Sequence, residues 1–72
     1  MNSRYPLLPS SKIVSALKRD GFVFVSQKGS HLKLKKGSRV VIIPMHDEVR
    51  RGTLQSILEQ AGMSLGNFLT LL

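Results

Sequence analysis

The sequence predicts a small α+β domain, a three-stranded antiparallel sheet with its helices on one face. Three observations carry that expectation. Apolar residues recur at helical spacing near both ends, at Ile13, Val14 and Leu17 and again at Leu54, Ile57, Leu58 and Ala61. Three runs between them, residues 22–25, 31–35 and 40–43, carry aromatic and β-branched residues or strict alternation. Short glycine turns separate these runs, which favours an antiparallel meander. The resulting order is α-β-β-β-α with a short final helix. Packing all helices on one face leaves the other open, which antiparallel sheets tolerate.

Each element has a local reason. Pro6 and Pro9 punctuate residues 1–9, which read as extended and loosely ordered. Ser10 or Ser11 offers a hydroxyl as N-cap of the first helix, and Asp20-Gly21 stops it. Gln27-Lys28-Gly29-Ser30 turns the chain, as does Lys36-Gly37-Ser38-Arg39. Pro44 has no N–H to donate and closes the third strand. Residues 45–51 read as polar and irregular. Thr53 is a candidate cap for the second long helix, and Gly62 ends it. Ser64 opens the short last helix, whose Phe68, Leu69, Leu71 and Leu72 are expected to pack back on the domain.

Composition narrows the function. Seventy-two residues suffice for one domain, 1–72, with a thin core. A hydrophobic content of 42% is too high for a disordered chain. The absence of cysteine excludes disulfide staples and thiolate metal sites and fits a reducing cytoplasm. No apolar run is long enough to cross a bilayer, and the N-terminal segment lacks the apolar stretch of a secretory signal. The net charge of +7 calls for a polyanionic partner: nucleic acid, an acidic membrane surface or an acidic protein, with nucleic acid favoured.

Register predicts what shares the open face. A two-residue loop at Gly37-Ser38 sets Lys36 against Arg39, Leu34 against Val41, Leu32 against Ile43 and His31 against Pro44. Opposed residues share a face. Leu32, Leu34, Val41 and Ile43 then cover the helices, while His31, Lys33 and Lys35 share the open face with Val40 and Ile42. His46 would lie diagonally from His31 if the strand persists past Pro44. In the first hairpin, core places for Phe22 and Phe24 require a three-residue loop at Lys28-Gly29-Ser30, with Gln27 facing His31.

Several segments together carry a family resemblance. They are Gly21-Phe22, Gln27-Lys28-Gly29-Ser30-His31, Val41-Ile42-Ile43-Pro44-Met45-His46 and residues 52–62, beginning Gly52-Thr53-Leu54. In their order and spacing the chain resembles the HicA toxin family, or YcfA-like proteins, over nearly its whole length. The resemblance implies a toxin of a toxin–antitoxin pair. It further implies a fold similar to double-stranded-RNA-binding domains, cleavage of mRNA, and neutralisation by a HicB-type antitoxin. The family's catalytic histidine falls on His31, and its Pro-x-His on Pro44 and His46. The chain departs from the family at Ser26, where arginine is common.

The expected chemistry follows. An imidazole can take the proton of a ribose 2′-OH, whose oxygen then attacks the neighbouring phosphate. Lys28, Lys33, Lys35, Lys36 and Arg39 would hold the RNA backbone, with Gln27, Gly29 and Ser30 supporting the histidine. His46 is a candidate second acid–base group. Val40 and Ile42 are where an antitoxin docks or a homodimer forms. No metal-ligand spacing is present, so a metal-independent enzyme without cofactor is expected. Two other classes compete: a non-enzymatic RNA-binding module on the same face, and an interaction protein using Val40, Ile42 and the C-terminal leucines.

Overall fold

A computed structural model describes residues 5–72. The elements run α1 (Ser10–Arg19), β1 (Val23–Lys28), β2 (His31–Lys36), β3 (Arg39–Pro44), α2 (Arg51–Ala61) and α3 (Leu65–Thr70). The strands form one antiparallel sheet in the order β1-β2-β3, and the helices pack on one of its faces. The expected α-β-β-β-α order and open sheet are therefore present. Leu32 and Leu34 of β2 and Val41 and Ile43 of β3 bury themselves against Ile13, Leu17, Leu54, Ile57 and Phe68.

Both hairpins close through Gly-Ser. Gly29 and Gly37 have φ of 54° and 60°, while neither serine has positive φ. Positive φ at the first central position alone is the primed turn that suits glycine and the sheet twist. Between β2 and β3 the register is the expected one, from Lys36 opposite Arg39 to His31 opposite Pro44.

The first hairpin differs. Its loop has two residues, not three, so Lys28 pairs with His31 and Gln27 with Leu32. A bulge between Phe24 and Ser26 inserts an extra residue and returns Phe24 to the parity of Leu34, on the helix side. The expectation of core places for both phenylalanines holds for Phe22, which is buried, and fails for Phe24, which is 53% exposed. The helices lie over β3 and β2, so β1 overhangs them and all six of its residues are exposed.

The caps also differ. Pro9 is the N-cap of α1, and Ser10 is its first helical residue. Arg50 caps α2, placing Thr53 inside the first turn. Ser64 does cap α3, accepting from the Asn67 N–H at 3.1 Å. Gly62 ends α2 in the left-handed conformation, φ 66°, and a Cβ there would overlap the Arg39 guanidinium.

Of the segment expected to be loosely ordered, residues 1–4 lie outside the described residues, and the remainder is tied down. Leu8 forms a bridge with buried Val49, whose N–H donates to the Leu8 carbonyl at 2.7 Å. Arg51 Nε donates to the Tyr5 carbonyl at 2.8 Å. At the other end Phe68 is buried and Leu71 packs against the core, but Leu69 and Leu72 are about half exposed.

Phe22→Ala should therefore cost about 3–5 kcal/mol, and Phe24→Ala less than about 1 kcal/mol, in urea denaturation. Equal losses would place both rings in the core.

Candidate nucleic-acid interface

His31 opens β2 immediately after the Gly29-Ser30 turn and is exposed. Alternation puts Lys33 and Lys35 on its face, opposite Ile42 and Val40 of β3. Leu32 and Leu34 point the other way, into the core. The same alternation that buries the leucines thus holds a histidine and two lysines on the open side.

The changed first hairpin alters the surroundings of His31. Gln27 does not face it. It shares the helix-side parity of Leu32, and its Nε2 donates to the Gly29 carbonyl at 3.1 Å, bracing the turn. Lys28 takes the place beside His31. Directly opposed side chains on one face start roughly 5 Å apart at Cβ. A cation therefore stands where an amide was expected, and Ser26 joins the same face opposite Lys33.

Lys36 and Arg39, expected among the phosphate contacts, share the helix-side parity of Leu34. Lys36 Nζ lies 3.0 Å from Asp20 Oδ2 and 5.9 Å from the Phe22 ring centroid. Arg39 lies over Gly62. Arg19 joins them at this end, donating to the Leu71 carbonyl at 2.7 Å. These three cations tie the second turn and α1 to the last two helices. They line or border a groove of about 630 Å³ whose other walls include Ser38, Met63 and Asn67.

His46 is placed by Ser10, which is 1% exposed. The Ser10 hydroxyl lies 2.7 Å from the Pro44 carbonyl oxygen and 2.9 Å from that of His46, and shares its one proton between them. It accepts the His46 N–H at 2.6 Å, and the Ser10 N–H donates to the His46 carbonyl at 3.0 Å. One step earlier, the Met45 N–H donates to the Ser30 carbonyl at 2.6 Å. β3 ends at Pro44, yet the chain stays joined to the histidine turn for one more residue. It then swings onto the N-terminus of α1. The exposed His46 lines a cleft of about 440 Å³ with Pro44, Glu48, Val49, Arg50 and Thr53, and His31 is not among its walls.

Ser10 and Arg50 carry no sequence signal that points to the site. Ser10 looks like a helix cap, and its partners lie 34 and 36 residues away. Arg50 precedes Arg51-Gly52 in a segment without periodicity. Among the described residues, no group of three His, Cys, Asp or Glu could hold a metal ion, and no helix is long and apolar enough to cross a membrane.

Fold and face together define a small basic α+β domain with a histidine at the head of an open strand face. Residues 10–63, from Ser10 through both histidines to Met63, match the family model described as HicA toxin of bacterial toxin-antitoxin. The chain belongs to the HicA toxin family. No curated protein matches it.

Ser10→Ala removes the hydroxyl partner of the Pro44 carbonyl and the His46 N–H, while the His46 carbonyl keeps the residue-10 N–H. It should cost about 1–3 kcal/mol and shift the amide resonances of residues 44–46. Ser11→Ala, on the exposed side of α1, should do neither. Unchanged resonances in Ser10→Ala would refute the clamp.

Proposed function

We propose that the protein is an endoribonuclease toxin that cleaves mRNA without a metal ion, with His31 as its general base, and that a HicB-type antitoxin silences it. The observation that carries this reading is the open face itself. His31, on which the Gly-Ser-His resemblance puts the family's histidine, stands exposed between Lys28 across the hairpin and Lys33 along its own strand. An exposed histidine in such a field can act on a phosphodiester that the lysines hold.

The reaction balances on groups already named. The His31 imidazole takes the 2′-OH proton, and the 2′-oxygen attacks the adjacent phosphorus. The bond from phosphorus to the 5′-oxygen breaks, and that oxygen takes a proton from His46 or from water as it leaves. The products are a 2′,3′-cyclic phosphate and a 5′-hydroxyl. Positioned proton transfer of this kind contributes roughly 10²–10⁴-fold. Lys28, Lys33 and Lys35 offset the charge that builds on the phosphorus oxygens. His46 acts from its own cleft, beside Arg50, as a holder of the flanking RNA or as the acid for the leaving oxygen.

Val40 and Ile42 share the open face with the lysines, so a protein seated on them would cover the RNA site as well. That supports an antitoxin that inhibits by occlusion. The cytoplasm, where mRNA is translated, is the compartment this activity needs.

Purified protein should cleave RNA in excess EDTA, and His31→Ala should lose at least about 10²-fold while still binding RNA. Undiminished cleavage by His31→Ala would defeat the assignment and leave a non-enzymatic RNA-binding module. His46→Ala should reduce the rate without abolishing it.

The lysines give a second test. Removing one phosphate-binding cation should flatten the salt dependence of single-strand binding by about 0.7 in the log–log slope. Lys33→Ala and Lys35→Ala should each do so. Lys36→Ala, whose partner is Asp20, should leave the slope alone.

A further inference from the structure

The two edges of the sheet are finished differently. Along β3, α2 lies close and Gln60 Oε1 accepts the outward N–H of Ile42 at 2.9 Å. Along β1, no described residue pairs with the outer edge. Val23, Phe24 and Val25 stand in sequence on this edge, 60%, 53% and 46% exposed. An unpaired edge carrying adjacent apolar side chains is the feature that strand addition buries.

The two faces of β1 carry different chemistry. Val23, Ser26 and Lys28 share the open face with Lys35, Lys33 and His31, their partners on β2. Phe24 and Gln27 share the parity of Leu34 and Leu32, but beyond the margin of the helices. A strand laid beside β1 would therefore meet lysines on one side and an uncovered phenylalanine on the other.

We propose that the β1 edge, Val23–Lys28, is a docking site for an acidic strand of a partner protein, which extends the sheet to four strands. Its side chains alternate, acidic toward the lysine face and apolar toward Phe24. A second copy of this chain fits less well. It brings a net charge of +7 against +7, and its own β1 carries a lysine and no acidic residue. The bulge at Val25 also discourages two identical edges from pairing, whereas a dedicated partner can be shaped to it. RNA would use the lysines but leave the outward backbone groups of β1 unpaired. The inference concerns binding and stands whether or not His31 cleaves RNA.

The probe is a blocked hexapeptide alternating glutamate and valine, titrated into the full chain and followed by amide NMR. Shifts should run along Val23–Lys28, and binding should weaken as salt rises. A twin peptide N-methylated on the amides that face β1 should bind about tenfold more weakly. Phe24→Lys, at an exposed position, should weaken binding severalfold while its core resonances and its RNA cleavage stay as in the parent. Equal affinity of the N-methylated twin, or shifts confined to His31, Lys33 and Lys35, would reduce the contact to charge attraction and overturn the proposal. So would a chain that sediments as a dimer unless Phe24 is replaced, which would make the second copy the occupant.

Discussion

The pairing of β2 with β3 is the constraint on which the other placements depend. The Gly37-Ser38 turn fixes it, and a slip of one residue would exchange every inward for every outward side chain. Leu32, Leu34, Val41 and Ile43 would then face water, each forfeiting roughly 1.5–3 kcal/mol of burial. His31, Lys33 and Lys35 would meet the core, where an unpaired charge is far more costly. The candidate site is thus held by the core beneath it. No interaction among the site residues themselves is needed to keep the histidine and lysines on one face.

The second restraint is long-range and rests on one hydroxyl. Ser10 joins the start of α1 to the end of β3 through Pro44 and His46. The Met45 N–H joins the same turn to Ser30, the residue before His31. The two histidines are therefore linked through backbone, from Ser30 across to Met45 and on to His46, and Ser10 anchors that path to the helical layer. Leu8 and Val49 extend the anchoring toward α2 and Arg50. Side chains that would act on one substrate are collected from segments far apart in sequence, and no buried side-chain polar atom among the described residues is left unpaired.

Much of this was legible in the chain. The helical stripes, the Gly37-Ser38 turn and the β2–β3 register follow from spacing and turn chemistry, and several segments, in their order and spacing, carry the family. What was not legible has physical causes. A bulge has no local signature in Phe22-Val23-Phe24-Val25. Parity arguments therefore needed a longer loop to bury both phenylalanines, where the chain instead inserts a residue and leaves Phe24 outside. Ser10 reads as a cap because Pro9 gives no sign that the helix has already begun. Lys36 and Arg39 read as part of the basic face because they flank it at the turn tips, although alternation from Leu34 and Val41 already gives them the helix side. Asp20 and Gly62, their neighbours, come from other elements.

The charge of the chain consequently divides into two working sets. At the end carrying the second turn, Lys36, Arg39 and Arg19 are engaged with Asp20, the turn after α2 and the Leu71 carbonyl. On the open face, Lys28, Lys33 and Lys35 stand with no such partner among the described residues. The open-face lysines adjoin both His31 and the unpaired edge of β1. An acidic strand on that edge and a phosphate backbone on that face would draw on the same three cations. Inhibition would then not require the inhibitor to touch the histidine, because neutralising the lysines already weakens the hold on RNA that brings a ribose to it.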